Sequence, residues 1–194
     1  MTILILAAGA SSRMRGADKL LEPVAGQPLL RHLSAQALAT GLPVTVALPP
    51  DRPARDAALR GLPVACVTVP DARLGMASSL RAGLASLPPQ AAVMVLLADL
   101  PEITTDDLLL MAKAHAATPD HILRATDASG QPGHPVIFPP DVRADLMQLS
   151  GDDGARAVLK RHASLLRLIA LPGQHATTDL DTPEAWAAWR SGRE

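Results

Sequence analysis

The first residues of the chain join an apolar run to a turn of small residues that is followed by two cations. Residues 4–19 read LILAAGASSRMRGADK, so Arg13 and Lys19 come shortly after the glycine-bearing turn. Backbone N–H groups in a turn of Gly, Ala and Ser can approach a ligand closely, because no large side chain blocks them. Two cations beside such donors suit a polyphosphate. The segment therefore predicts a nucleoside triphosphate site at the end of the first strand, although an ordinary strand–helix turn with exposed cations is the alternative.

Two well-known nucleotide-binding patterns are absent from this segment. No Gly-Lys-Ser or Gly-Lys-Thr follows at the spacing of a P-loop. Gly9 is not followed by the G-x-G-x-x-G pattern of dinucleotide-binding folds, which makes a nicotinamide-dependent dehydrogenase a weak alternative.

Carboxylates that could hold a metal ion occur at two distant positions. Asp99 follows the apolar run 93–97, and ligands of open α/β sheets bind beyond the carboxyl ends of the strands. Mg²⁺ prefers oxygen ligands and often binds through one or two carboxylates together with substrate phosphates. Asp179 and Asp181 flank Leu180, so in an extended chain both side chains point the same way. Either could be the second metal ligand, or both could simply lie at the start of the next helix.

A third segment, Gly75 to Leu80, reads as a loop that enters a helix. Ser78 and Ser79 fall in its first turn, where free N–H groups and hydroxyls could bind a base or a ribose. A well-capped helix with no ligand explains the same residues.

Apolar runs alternate with helical patterns along the chain, which is typical of an α/β fold. The predicted strands are residues 3–7, 44–48, 65–69, 93–97, 122–125, 136–138 and 165–171. The first four are nearly continuous apolar runs, as expected when helices cover both faces of a parallel sheet. Helices are predicted from residues 29–38 and 76–87, after a cap at Thr104 or Thr105, and after Thr182. The proline-rich stretches 49–53, 88–89 and 139–140 are predicted loops.

Composition restricts the class of protein. The 194 residues are enough for one domain with a sizeable core, and the net charge of −1 gives no indication of a nucleic-acid or membrane partner. The single cysteine, Cys66, excludes an internal disulfide and is predicted to be a small buried core residue in a reducing compartment. No run of apolar residues is long enough to span a bilayer, and residues 3–8 lack the basic leader of a secretion signal. A cytoplasmic location is expected.

Six strings, in order, resemble the MobA-like nucleotidyltransferases, and most closely the branch of molybdenum cofactor cytidylyltransferases. They are LAAGASSRMRGADK (6–19), GMASSL (75–80), LADLP (97–101), GHPVIF (133–138), GDDGAR (151–156) and DLDTPEAW (179–186). The resemblance implies a three-layer α/β fold with a mostly parallel sheet and helices on both faces. It implies one nucleotidyltransferase domain over residues 1–194, with an acceptor-binding lobe around 126–160.

The resemblance also implies roles for individual residues. Arg13, Lys19 and Asp99 match the catalytic positions, and Asp99 and Asp181 match the ligands of Mg²⁺, with Asp179 as the second choice to Asp181. The nucleotide-binding positions are Ala7, Ala8, Gly9, Ser11, Ser12, Gly75, Ser78 and Ser79. The acceptor pocket corresponds to Gly133, His134, Asp153 and Arg156; the turn of Asp152, Asp153 and Arg156 could instead only cap a helix.

By this resemblance, the expected reaction is the Mg²⁺-dependent transfer of CMP from CTP to the phosphate of a molybdopterin-type cofactor, with release of pyrophosphate. The Ala7-Ala8-Gly9 string is similar to that of the cytosine-selective branch, whereas the guanine-selective branch tends to have Ala-Gly-Gly. Expected partners are the molybdoenzyme that receives the cofactor or its chaperone. The alternatives are a transferase with another phosphorylated acceptor, such as a sugar phosphate, and a non-enzymatic cofactor-delivery protein.

Overall fold

The computed structural model describes residues 1–151 and 154–192 of the chain. The described residues form nine strands: β1 (Thr2–Leu6), β2 (Pro23–Val24), β3 (Gln27–Pro28), β4 (Val44–Leu48), β5 (Ala65–Thr68), β6 (Val93–Leu97), β7 (Ile122–Thr126), β8 (Pro132–Phe138) and β9 (Leu166–Ala170). They also form seven α-helices: α1 (Leu29–Ala39), α2 (Pro53–Leu59), α3 (Met76–Ala85), α4 (Thr105–Ala117), α5 (Arg143–Met147), α6 (Arg156–Arg161) and α7 (Pro183–Ser191). None of the helices described is long and apolar enough to cross a membrane.

Seven strands form one sheet in the order β5-β4-β1-β6-β8-β7-β9, and β2 pairs with β3 in a separate small hairpin. The pairs β1–β4, β1–β6, β4–β5 and β7–β9 are parallel, whereas β8 runs antiparallel to both β6 and β7. The mostly parallel sheet expected from the sequence is confirmed. The parallel run of strands is interrupted only where β8 is inserted.

Successive residues of β1 point into two different cores, as the period of a strand requires. Ile3 and Ile5 pack in a cluster with residues of α1, α4 and α7, whereas Leu4 and Leu6 pack with residues of α3, α5 and α6. The sheet is therefore the middle of three layers. Both faces of β1, β4 and β6 are buried, which explains why their sequences are almost entirely apolar.

Local signals fix the starts of two helices that matter for the site. Thr104 caps α4 in a capping box: its hydroxyl accepts a hydrogen bond from the Asp107 N–H, and the Asp107 carboxylate accepts one from the Thr104 N–H. Thr182 caps α7 by accepting a hydrogen bond from the Ala185 N–H, with Pro183 at the first helical position. Both starts agree with the sequence pattern.

Three sequence-based expectations are wrong. Cys66 is exposed rather than buried, because β5 is the last strand of the sheet and its residues are mostly exposed. The strand predicted at 136–138 begins at Pro132, so Gly133 and His134 lie within β8 and not before it. The stretch 49–53, predicted to be a loop, ends at Pro53 in the first turn of α2, where proline is favoured because its missing N–H has no intrahelical partner.

Candidate active site

Residues 7–18, here called the β1 loop, leave the sheet at the carboxyl end of β1. Ser11 and Arg15 have φ angles of 53° and 52°, so the loop turns through left-handed conformations on both sides of a short 3₁₀ helix, Ser12–Met14. Met14 is buried and anchors the loop on the core. A Cβ atom added to Gly9 would meet nothing within 4 Å, so this part of the backbone is open to a ligand.

Lys19, which follows the loop, lies between two carboxylates from distant parts of the chain. Its Nζ donates hydrogen bonds of 2.6 Å to Asp99 Oδ2 and of 2.6 Å to Asp181 Oδ1. Arg13 Nη1 lies 2.6 Å from the second oxygen of Asp181. The four residues that the sequence singled out for catalysis and metal binding therefore meet at one point.

The elements that carry these residues explain why they meet. Asp99 follows β6 by two residues, and the Ala98 N–H donates to the Leu6 carbonyl, which joins the carboxyl ends of β6 and β1. Asp181 lies immediately before the N-cap of α7, and its contacts with Lys19 and Arg13 place it at the same edge of the sheet. Neighbouring parallel strands thus present their terminal side chains to a common space.

The charges at this point influence one another. Burial alone would lower the pKa of Lys19, but the charges and hydrogen bonds of Asp99 and Asp181 raise it overall, so the ammonium stays charged. The hydrogen bond from Lys19 lowers the pKa of Asp181, with a further contribution from Arg13. Burial and the negative charges of Asp99 and Asp181 raise the pKa of Asp179. Asp181 is therefore better suited than Asp179 to remain an ionised ligand.

The two carboxylates fit a hard divalent cation. Asp99 Oδ1 is buried and has no hydrogen-bond partner among the described residues, although such an atom is costly to leave unpaired. Asp99 and Asp181 both contact the Lys19 Nζ, so their oxygens face one position of the size of a cation, which the Lys19 ammonium occupies in this structure. No group of three or more His, Cys, Asp or Glu ligands occurs in the described part of the chain. Two carboxylates would leave the other positions of Mg²⁺ to substrate phosphates and water.

A cleft of about 460 Å³ opens beside these residues. Its walls include seven of the predicted site residues: Ala8, Gly9, Ser12, Lys19, Gly75, Ser79 and Asp99. Arg73, which the sequence did not suggest, also lines it and lies 3.4 Å from Asp51.

Three residues predicted to bind nucleotide do not line this cleft. Ala7 is buried and its carbonyl accepts a hydrogen bond from Arg55. The Ser11 hydroxyl is occupied by Asp18 and Arg55. Ser78 is buried and lines a different cavity with Arg81 and Met147.

A second cavity of about 190 Å³ adjoins the cleft and shares Leu6 and Met76 with it. His134, Arg124 and Arg156 line it among apolar side chains. Burial lowers the pKa of His134 to about 4, so the imidazole is neutral at physiological pH. Both guanidinium side chains line this cavity, and burial together with the charge of Arg156 lowers the pKa of Arg124.

Two other predicted acceptor residues are placed differently. Gly133 is buried against the Ala176 carbonyl, where an added Cβ would lie 1.9 Å from the oxygen, so Gly133 permits close packing and does not line the cavity. Asp153 and its neighbour Asp152 lie outside the described residues.

Sequence reasoning missed the buried ion pair between Arg55 of α2 and Asp18, the last residue of the β1 loop. Arg55 Nε lies 2.7 Å from Asp18 Oδ2. The proline that starts α2 could have indicated the helix that carries Arg55, but no sequence pattern links positions 37 residues apart.

The chain belongs to the MobA-like NTP transferase domain family, which matches residues 3–165. It is 30% identical over 190 residues to a nicotine blue oxidoreductase of Paenarthrobacter nicotinovorans, covering 95% of this chain and 93% of that protein. It is also 38% identical over 117 residues to the bifunctional protein GlmU of Burkholderia mallei, an alignment that covers 59% of this chain and 25% of GlmU.

Solved structures show the same architecture. Rv0371c of Mycobacterium tuberculosis H37Rv superimposes with a TM-score of 0.82 at 27% identity, covering 98% of each chain. A structure of Rv0371c in complex with manganese superimposes with a TM-score of 0.80 at 26% identity and covers 96% of each chain. A nucleotidyl transferase of Methanothermobacter, at 18% identity and a TM-score of 0.77 over 98% of this chain and 96% of that one, shares the fold.

Proposed function

We propose that this nucleotidyltransferase-family protein is a Mg²⁺-dependent cytidylyltransferase that transfers CMP from CTP to the phosphate of a molybdopterin-type cofactor. The acceptor phosphate would attack the α-phosphorus of the nucleotide, and pyrophosphate would leave. The observation that carries the proposal is the meeting of Lys19, Asp99 and Asp181 at the edge of a cleft lined by the glycine-bearing β1 loop. Phosphoryl-type transfer depends mainly on positioning and charge stabilisation, so no protein nucleophile is required.

Asp99 and Asp181 are the residues that would hold Mg²⁺. When bound, the ion would neutralise charge on the phosphates and polarise the reacting phosphoryl group. A manganese complex of Rv0371c, a relative with the same fold, supports a divalent cation in this family. The buried Asp99 Oδ1, for which the described residues supply no hydrogen-bond partner, supports the same assignment in this chain.

Lys19, Arg13 and the β1 loop would bind the triphosphate. Gly9 leaves the backbone open, so N–H groups of the loop can donate to phosphate oxygens. Lys19 and Arg13 already lie at the carboxylates, and each can donate to a pyrophosphate that carries developing negative charge. The loop and the two cations would thereby stabilise the leaving group.

The acceptor would lie in the second cavity, which shares Leu6 and Met76 with the cleft. Arg124 and Arg156 are the charged residues that line this cavity in the described part of the chain, apart from the neutral His134, and their positive charge suits a phosphate. His134, which is neutral, can take part in a hydrogen bond without adding charge. The preference for cytosine rests on the similarity of Ala7-Ala8-Gly9 to the cytosine-selective branch. A molybdoenzyme or its chaperone as recipient, and a cytoplasmic location, stay predictions.

The test is incubation of the protein with Mg²⁺, the molybdenum cofactor and each of the four NTPs in turn, with pyrophosphate release and the mass of the dinucleotide product as readouts. We expect the cytosine dinucleotide from CTP alone. Turnover with a sugar phosphate but not with the molybdenum cofactor would show that the acceptor is a sugar phosphate. Tight CTP binding without turnover of any acceptor would favour a delivery protein.

A second candidate function is that of an oxidoreductase, because the alignment with the nicotine blue oxidoreductase covers 95% of the chain. A titration with NAD(P)H, followed by fluorescence, separates the two functions. We expect no binding, because the glycine pattern that holds a dinucleotide pyrophosphate is absent after β1.

A further inference from the structure

Arg55 lies on the face of α2 that is turned towards the β1 loop, and its side chain has no exposed surface. Its guanidinium forms a bidentate pair with Asp18, through Nε to Oδ2 at 2.7 Å and Nη2 to Oδ1 at 2.9 Å. The remaining donors reach the Ala7 carbonyl at 2.6 Å and the Ser11 hydroxyl at 3.1 Å. One side chain therefore holds the first residue, a middle residue and the last residue of the loop.

Because Arg55 holds the Asp18 carboxylate, it also affects the position of the next residue, Lys19. Asp18 Oδ1 accepts a hydrogen bond of 3.1 Å from the Leu20 N–H and one of 3.2 Å from the Ser11 hydroxyl. Asp18 is the N-cap of the 3₁₀ helix Lys19–Leu21, so the backbone direction at Lys19 depends on where the Asp18 carboxylate is held. Lys19 must start from this position to reach Asp99 and Asp181.

A buried ion pair is poor evidence for added stability, because the cost of removing both charges from water offsets most of their attraction. The contacts of Arg55 instead fix the geometry of the β1 loop. A planar guanidinium donates hydrogen bonds in set directions, and every side-chain hydrogen bond of Arg55 goes to a residue of this loop. Arg52 of the turn before α2 adds a hydrogen bond of 3.0 Å to the Ala10 carbonyl. The start of α2 thus braces the loop at four residues.

We propose that Arg55 is a positioning residue for nucleotidyl transfer, which acts through Asp18 and the β1 loop to set the place of Lys19 and of the loop N–H groups. The inference rests on the proposed function for its catalytic consequence. Its structural consequence, a loop held in one conformation, does not depend on which reaction the protein performs.

The chain offers a matched control for this inference. Arg31 of α1 donates to the Ala58 and Arg60 carbonyls at 3.0 and 2.9 Å, so it braces the end of the same helix without contact to the loop. Arg31→Met should lower stability and leave kcat unchanged. Arg55→Lys keeps one charge but cannot reach all of the four acceptor atoms of Arg55, so the protein should fold with a loosened loop.

The experiment compares wild type, Arg31→Met, Arg55→Lys and Asp18→Asn well below their melting temperatures, by pyrophosphate release and by amide hydrogen exchange of residues 9–17. We expect kcat of Arg55→Lys and Asp18→Asn to fall by about 10²-fold, the typical cost of small misplacements at a reacting centre. We also expect the amides of residues 9–17 to exchange faster in Arg55→Lys and Asp18→Asn than in Arg31→Met. Wild-type kcat and loop exchange in a folded Arg55→Lys would overturn the inference.

Two results separate this inference from the proposed function. If wild type turns over no nucleotide, the proposed function fails, and loop exchange alone decides whether Arg55 holds the loop. If Arg55→Lys does not fold, Asp18→Asn carries the test, because it keeps the shape of Asp18 and removes its charge. Equal losses of kcat in Asp18→Asn and Arg31→Met would also overturn the inference, since they would reflect stability alone.

Discussion

The two cavities that meet at Leu6 and Met76 differ in how their charges are balanced. At the edge of the larger cleft, Lys19 contacts Asp99 and Asp181, so a cation lies between two anions at contact distance. In the smaller cavity, the guanidinium groups of Arg124 and Arg156 have no carboxylate partner among the described residues.

This difference in charge indicates that the two cavities bind different ligands. Alternating charges suit a ligand that brings both signs, such as a triphosphate with its cation. An excess of positive charge suits an anion that arrives alone, such as an acceptor phosphate. We propose that the cleft holds the nucleotide and the smaller cavity holds the acceptor, and four predictions test that comparison.

The largest effect is expected at the metal carboxylates. Asp99→Asn keeps the shape of the side chain but removes the charge that would hold Mg²⁺, and we expect kcat to fall by about 10²–10³-fold, the usual cost of one preorganised electrostatic contact. Pyrophosphate release measures it. Asp120→Asn, an exposed carboxyl between α4 and β7, is the control and should behave as wild type. Full activity of Asp99→Asn would contradict the proposal that the cleft binds the nucleotide together with a metal ion at Asp99.

The next effect is on stability and comes from His134. Because burial lowers its pKa to about 4, the unfolded chain takes up a proton near pH 6.5 and the folded chain does not. Stability should therefore fall as pH decreases from 6.5 to 4, by about 3 kcal/mol in all, since each pKa unit corresponds to about 1.4 kcal/mol.

Urea unfolding of wild type and His134→Gln across this pH range measures the contribution of His134. The variant should lose less stability than wild type as the pH is lowered. Parallel curves for the two proteins would show that the imidazole is not held neutral in the folded cavity.

A smaller effect is expected at the guanidinium groups of the acceptor cavity. Arg156→Met should raise the KM for the acceptor by about 10-fold, because a hydrogen bond to a charged group contributes roughly 1.5–3 kcal/mol, and partial exposure reduces it. The KM for the nucleotide should not change. A change in the nucleotide KM instead would mean that the two ligands are assigned to the wrong cavities.

The smallest expected effect is the loss of stability on removal of the hydroxyl that caps α4 or α7. Thr104→Ala and Thr182→Ala should each cost about 1 kcal/mol, the usual cost of removing a capping hydroxyl. Thermal unfolding measures that cost. Only Thr182→Ala should also lower kcat, because Thr182 directly follows Asp181. Equal activities of the two variants would show that the cap of α7 does not position Asp181.

The parallel part of the sheet was predictable from the sequence because its signals are local. The runs that form β1, β4 and β6 are nearly continuous apolar runs, and the caps at Thr104 and Thr182 lie next to the helices that they start. The position of a loop at the carboxyl end of β1 and of Asp99 after β6 follows from the same alternation.

The rest depends on contacts that no local pattern contains. Strand β8 reverses direction, and its first residues, Pro132 and Gly133, do not resemble a strand. Gly133 is required there by the Ala176 carbonyl, which lies 43 positions away. The exposure of Cys66 follows from strand order, and the Arg55–Asp18 pair follows from the packing of α2 on the β1 loop. Only the three-dimensional arrangement determines these features.

The most direct test of the account is whether Asp99 and Asp181 hold a divalent cation together with a bound triphosphate. Mn²⁺ can replace Mg²⁺ as a spectroscopic probe, and its binding can be titrated by paramagnetic resonance with and without CTP. We expect tight Mn²⁺ binding that requires CTP in wild type and is lost in both Asp99→Asn and Asp181→Asn. Unchanged Mn²⁺ binding in the two variants would contradict the central claim.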